Sequence, residues 1–273
     1  MRFHRLLACF FITAVHLTSV NTGAAQTRAG EVEFGRLTWT EIRTAIGNGQ
    51  TTIIIPIGGT EQSGPYIAVG KHNIRAAFLA DQIARQLGNA LVAPVIAYVP
   101  EGGTSPRTSH MRFPGTITIP PDVFVDMLRS AAESFRVQGF RIVIFLGDHG
   151  GYQKYLIKVS ADLNASWKGT GARTGVAHNY YTVVAGAYAD ALREKGFGKD
   201  VGLHAELSDT SLMLATDPSM VRSEALHGAP RPGPADGVYG GDPRRATAAL
   251  GETGIRMQIS VALQEIRKIQ EER

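Results

Sequence analysis

Three short stretches of the chain set ionisable side chains among glycines, where a plain connection would carry turn residues alone. The first, T-E-Q-S-G-P-Y-I-A-V-G-K-H-N over residues 60–73, brings Glu61, Ser63 and His72 into one loop. The second, G-D-H-G-G-Y-Q, puts Asp148 and His149 between glycines. The third, L-H-A-E-L-S-D-T-S, carries His204, Glu206 and Asp209, and the segment T-S-P-R-T-S-H-M-R-F-P-G-T adds His110. A hydrolytic metal site needs neutral imidazoles and carboxylates from several segments, with one position open for water. Glu61, His72 and His149 supply such a set, with Asp209 as a fourth ligand or a base. An ion held there lowers the pKa of a water and polarises the carbonyl under attack.

Other chemistries fit less well. G-D-H-G-G matches neither phosphate-cradling pattern, G-x-x-x-x-G-K-S/T or G-x-G-x-x-G. No G-x-S-x-G occurs, so a serine nucleophile elbow is not indicated. The single cysteine, Cys9, lies in an N-terminal apolar run. That run follows the basic head Met1-Arg2-Phe3-His4-Arg5 and is followed by N-T-G-A-A-Q, with small Gly23 and Ala25 where a signal peptidase reads. The expectation is a secretory leader over residues 1–25, cleaved after Ala25, and a secreted or periplasmic mature protein. L-L-A-C resembles a lipoprotein box, but almost no apolar segment precedes Cys9. Without Cys9 the mature chain has no disulfide and no thiolate ligand, so a metal site must come from His, Asp and Glu. The leader also takes Arg2 and Arg5 out of a formal charge of +4. The remaining basic residues are scattered, with no interleaved aromatic stripe, so no nucleic-acid partner and no membrane partner after cleavage are expected.

The elements that must position these residues can be read from periodicity. T-W-T-E-I-R-T-A-I reads as a first helix capped by Thr38 or Thr40. T-T-I-I-I-P-I, A-L-V-A-P-V-I and R-I-V-I-F-L-G-D are apolar runs without alternation, as in strands covered on both faces. Between them lie amphipathic helices, one from Asn73 with Gly88 as its stop and one from Pro121 ending at Gly139. Y-Q-K-Y-L-I-K-V-S-A-D-L-N-A-S is helical, G-V-A-H-N-Y-Y-T-V-V strand-like, and D-T-S-L-M-L-A-T-D-P a short helix. Residues 97–120 and 226–245 are loops, and I-R-M-Q-I-S-V-A-L-Q-E-I-R-K-I closes the chain as a helix. This alternation predicts an α/β fold with a mainly parallel sheet and helices on both faces. Ligands in such sheets sit at the carboxyl ends of the strands, which would gather the three ionisable loops.

At this point the sequence resembles the creatininase family, metal-dependent amidohydrolases. The residues that carry the resemblance are I-G-G-T-E-Q-S-G-P-Y, H-M-R-F-P-G-T-I-T-I, G-D-H-G-G-Y, H-A-E-L-S-D-T-S-L-M-L-A-T-D-P and G-V-Y-G-G-D-P-R-R-A-T, collinear over roughly residues 36–265. The resemblance implies a three-layer fold, one such domain over residues 26–273, a small-molecule amide or lactam substrate, and a homohexamer. It aligns Glu61 and His149 with metal ligands. Ser63 stands at a histidine for a second metal and Tyr66 at the next histidine, both expected to line the substrate site, and His72 stands at an aspartate that bridges two ions. Asp209 stands at a glutamate. His204 matches a proton-donating or substrate-orienting histidine, His110 a histidine of an active-site loop, and Asp148 and Tyr152 replace two asparagines beside the substrate.

These departures leave a two-histidine, one-carboxylate set of Glu61, His72 and His149. Such a set suits a single Zn²⁺, Mn²⁺ or Fe²⁺. The expected enzyme is a mononuclear hydrolase using a metal-activated water, with Asp209 as general base and His204 protonating the leaving nitrogen. Two alternatives stand beside it: a metal-free, decayed ligand-binding protein of the same fold, and a lactone or ester hydrolase.

Overall fold

The computed structural model describes residues 30–272, so the expected leader lies outside the described residues. Four strands form one parallel sheet in the order β2-β1-β3-β4: β1 (Thr52–Ile57), β2 (Ala90–Val92), β3 (Ile142–Gly147) and β4 (Arg173–Val176). Strands β1 and β3 are central and every residue in them is buried. Successive side chains of a strand point to opposite faces. Accordingly Ile54, Ile144 and Leu146 enter one core, while Ile53, Ile55, Ile57, Val143 and Phe145 enter the other.

Helices cover both faces, giving three layers. On the second face lie α1 (Trp39–Gly47), α3 (Pro121–Gln138) and α4 (Gln153–Ser166), contributing Ala45, Phe124, Leu128 and Leu156. On the first lie α2 (Lys71–Leu87), α5 (His178–Val183), α6 (Ala189–Leu192), α7 (Leu207–Thr216) and the long α9 (Ala248–Glu271), with the short α8 (Ser223–His227) packed under the loops. Helix α1 is held by a capping box between Thr38 and Glu41, and α2 and α3 end at left-handed Gly88 and Gly139.

Three expectations change. The run A-L-V-A-P-V-I pairs only over Ala90–Val92. After Ala93 N donates to Ile54 O at 2.8 Å, the next donor to β1 is Ile96 N, to Pro56 O at 3.0 Å, one residue later than a regular strand would place it. There Ile96 makes an isolated bridge to Ile57. The strand-like G-V-A-H-N-Y-Y-T-V-V leaves the sheet after Val176 and turns helical at His178. There the buried Tyr180 gives its carbonyl to Gln258 of α9 and its hydroxyl to Asp148, so packing overrides β propensity. Finally, His72 belongs to the first turn of α2 rather than to the preceding loop. The buried stripe of α2, Arg75/Ala76, Leu79/Ala80 and Ile83/Ala84, continues one turn back to Lys71 and His72.

Helix α9 crosses α7 at small residues. A Cβ at Gly251 would collide with the Ser211 carbonyl, and one at Gly254 would meet Leu212 Cδ2 at 2.7 Å. This crossing fixes where the first turn of α7, with Asp209, can lie. Gly251→Ala should therefore destabilise the fold by about 3 kcal/mol, since backbone cannot yield as a flexible side chain can. The midpoint of urea unfolding checks this; an unchanged midpoint would show that the crossing is loose.

Candidate active site

The carboxyl ends of β1 and β3 are joined by one side chain. The Tyr152 hydroxyl donates to the carbonyls at the tip of β1, Ile57 O at 2.6 Å and Gly58 O at 2.8 Å, and accepts from Asp148 N and His149 N, both at 3.0 Å. The loop after β1 is braced from α2, where Asn73 Oδ1 accepts from Gly59 N at 2.9 Å. Gly58 packs against the Asn73 backbone so closely that no side chain fits there. These two braces bring Glu61, His72, Asp148 and His149 together, and the N-terminus of α7 adds Asp209 from the side.

Glu61 is fully buried at the centre. Its Oε1 lies 2.8 Å from His72 Nε2, 3.5 Å from Lys71 Nζ and 3.6 Å from His204 Nδ1. Its Oε2 lies 3.2 Å from His110 Nε2 and 3.3 Å from His149 Nε2, yet accepts no well-formed hydrogen bond. Burial resists ionisation of Glu61, but His149, Lys71 and the hydrogen bond from His72 hold its carboxyl well below the usual range. Nearby, Glu101 is buried with both oxygens unpartnered, and its Oε1 is 3.6 Å from His149 Nδ1. Burial and the charge of Glu61 push the Glu101 carboxyl up to about 9.

Among the described residues, Glu61, Glu101, His110 and His149 converge as a set able to hold a metal ion. Donors about 2.1 Å from a tetrahedral ion lie about 3.4 Å from one another. The separations of Glu61 Oε2 from the two imidazoles fit that arrangement, and three partnerless carboxylate oxygens in a buried cluster call for a cation. The residues present thus fit a divalent ion.

The sequence-predicted residues divide. Glu61 and His149 fall in this set. His110, expected beside the substrate, falls in it too, and Glu101 joins from a loop that offered no motif. His72 lies between two carboxylates, with Nδ1 2.6 Å from Asp148 Oδ2. Burial and Lys71 disfavour a proton on His72, but hydrogen bonds to Asp148 and Glu61 outweigh them and raise its pKa. Asp209 stands apart from the set, because three donors already satisfy it: Lys71 Nζ at 2.7 Å, Ala205 N at 2.9 Å and Arg75 Nη1 at 3.3 Å. Burial opposes its charge, yet Lys71 and Arg75 hold Asp209 well below the carboxylate range. To present its N–H, Ala205 adopts φ +55°, a left-handed conformation that costs a non-glycine residue about 1 kcal/mol or more.

His204 Nε2 donates to Gln62 O at 2.9 Å, and burial together with Lys71 pushes its pKa down to about 3. It is therefore a neutral imidazole. The Gln62 amide nitrogen also lies 3.1 Å from His110 Nδ1, linking the two rings. Asp148 is held by Arg75 Nε at 3.0 Å and by the Tyr180 hydroxyl at 2.6 Å.

A cavity of about 590 Å³ opens beside the cluster, lined by His72, Arg75, Glu101, His110, Asp148, His149 and, further out, Tyr181, Glu206 and Asp209. Of the other residues expected beside substrate, Tyr152 is buried in the brace described above. Ser63 points back to the Glu61 carbonyl, and Tyr66 packs against a separate small core. Neither lines the cavity. Sequence reasoning missed Glu101, Lys71 and Arg75. The helical spacing of Lys71 and Arg75 was their only signal.

The family model for creatininase, creatinine amidohydrolase, matches residues 35–266. The chain belongs to the creatininase family. It is 28% identical over 194 residues to the 3-dehydro-scyllo-inosose hydrolase of Thermotoga maritima, covering 71% of this chain and 58% of that protein. The chain thus spans less than two thirds of that relative. It is 27% identical over 241 residues to the mycofactocin precursor peptide peptidase of Mycolicibacterium smegmatis, covering 81% and 86% of the two. A crystal structure of creatinine amidohydrolase superposes with a TM-score of 0.72 at 20% identity, over 89% of this chain and 99% of that one. Two further creatininase structures of this fold are described as a manganese form (TM-score 0.71, 20% identical, 89% and 100% covered) and a mutant of Zn-Zn type (0.69, 19%, 89% and 99%).

Glu206 caps α7 by accepting from Ser208 N at 2.9 Å, and burial with the Asp209 charge pushes its carboxyl up to about 7. A carboxyl raised in the folded state binds a proton that the unfolded chain has already released. Stability therefore falls as pH rises from about 4.5 to about 7. Glu206→Gln keeps an acceptor for the cap and removes the titration. Between pH 5 and pH 7.5 the variant should gain about 2 kcal/mol relative to wild type in urea unfolding. A constant difference across that range would show that Glu206 stays ionised.

Proposed function

We propose that this protein is a metal-dependent hydrolase of a small amide or lactam, acting at the cavity beside Glu61. The observation that carries the reading is the convergence of Glu61, Glu101, His110 and His149, with three buried carboxylate oxygens lacking partners. These four residues would hold one divalent ion, Zn²⁺, Mn²⁺ or Fe²⁺. When bound, such an ion supplies a water of lowered pKa and a polarised carbonyl.

The chain's own groups account for the rest. His72 faces the cavity with its proton held between Glu61 and Asp148, which suits it to protonate a leaving nitrogen. Asp148 fixes the orientation of that ring, and Arg75 and Tyr180 in turn fix Asp148. Gln62, whose amide nitrogen lies 3.1 Å from His110 Nδ1, orients His110. Asp209, already taken by Lys71 and Arg75, positions those cations rather than acting as base. The family relation supports the reaction class, since relatives are named as hydrolases of an inosose and of a peptide. The expected leader and the family resemblance extend the reading to a periplasmic homohexamer. Among the described residues, no helix is long and apolar enough to cross a membrane.

Plasma mass spectrometry on untagged protein purified without chelator should find about one divalent ion per chain. Glu101→Gln and His149→Ala should each lower its retention at least tenfold, and chelation should abolish hydrolysis across a panel of small amides and lactams. Turnover of lactones alone would move the assignment to ester chemistry. Absence of metal after reconstitution would sink the hydrolase reading in favour of a ligand-binding protein.

A further inference from the structure

Glu61 divides its surroundings. Its Oε2 faces the four-residue cluster, whereas Oε1 faces the Lys71 ammonium, which also lies 2.7 Å from Asp209 Oδ2. Lys71 is fully buried, an uncommon state for a lysine and one that requires pairing. One turn further along α2, Arg75 bridges Asp148 and Asp209, and it too is buried. A cation coordinated between Glu61 and Asp209 would have to occupy the space that the Lys71 ammonium fills.

The charges lead to the same point. Glu61, Glu101, Asp148 and Asp209 bring four negative charges when ionised, against Lys71 and Arg75. Glu206 turns its oxygens to the N–H groups of α7. One divalent ion beside Glu61 Oε2 already offsets the two remaining negative charges, before any proton that His72 holds between Glu61 and Asp148 is counted. A second would leave two uncompensated positive charges in a buried site, which is costly. A proton on His72 would add to that excess.

We propose that Lys71, supported by Arg75, is a built-in cation that takes the position of a second metal ion and limits the centre to one. The proposal rests on the metal reading above. Lys71 does not line the cavity, so it acts as a positioning and charge-balancing residue through Glu61 and Asp209. Ser63, whose hydroxyl returns to the Glu61 carbonyl, offers such an ion no ligand.

The test is titration of the metal-free full chain with Mn²⁺, read by paramagnetic resonance and by metal content. Wild type should saturate at about one ion per chain with the six-line spectrum of an isolated Mn²⁺. Lys71→Met, which leaves Glu61 and Asp209 without their shared cation, should take up about two ions and show a spin-coupled spectrum. Lys71→Arg should stay at one. Should Lys71→Met not fold, Lys71→Asn, which keeps a donor to Asp209, serves in its place. Two ions in wild type, or one ion in a folded charge-removing variant, would overturn this inference and leave the hydrolase reading standing. No ion in wild type would overturn the hydrolase reading itself.

Discussion

A carboxylate sealed from water must be answered by positive charge or by hydrogen bonds, because its solvation is lost. Glu61 is such a carboxylate, and the arrangement around it follows from that need. Lys71 and His72 approach one oxygen, His110 and His149 the other. Lys71 then requires Asp209, His72 requires Asp148, and Asp148 requires Arg75 and Tyr180. Lys71, His72 and Arg75 come from α2, Tyr180 from α5, Asp209 from α7 and Asp148 from the end of β3, so the buried charge links these elements to the loop after β1 at one end of the sheet. Such networks are stable only when every member is satisfied. The oxygens of Glu101 and the Oε2 of Glu61 are the places where this one is open.

The sheet makes the network possible. Parallel strands end on the same side, so the loops after β1 and β3 emerge beside each other and can be joined by a single hydroxyl, that of Tyr152. The helix that follows β1 runs back along the sheet with its polar first turn at that edge. Its stripe is therefore divided: Leu79, Ala80 and Ile83 serve the core, while Lys71, His72 and Arg75 serve the site. The same stripe that folds the protein delivers the cations that balance its carboxylates.

Much of the frame was legible in the residues. Uninterrupted β-branched runs gave β1 and β3, glycine stops gave the ends of α2 and α3, and the alternation gave a parallel sheet with two covered faces. The short pairing of β2 and the helical turn at His178 were not legible, because they depend on a one-residue slip of the chain along β1 and on the fit of Tyr180 against α9. Within the site, Glu61, His110, Asp148, His149, His204 and Asp209 stood out by type and setting. Glu101 did not, for it lies in a proline- and glycine-rich loop whose course is set only by packing over the strand ends.

By itself the sequence determined which groups are available: no cysteine among the described residues, imidazoles and carboxylates in several loops, and those loops bound for one edge of an α/β sheet. Local preference and hydrophobic pattern suffice for this, since both are carried by near neighbours in the chain. Which groups meet was decided by the tertiary structure alone. Asp209 is turned to Lys71 and Arg75, and His72 is held by Asp148 rather than joined to the cluster. Charge compensation in a buried site is settled among residues as far apart in sequence as Lys71 and Asp209, at distances that only the folded chain fixes.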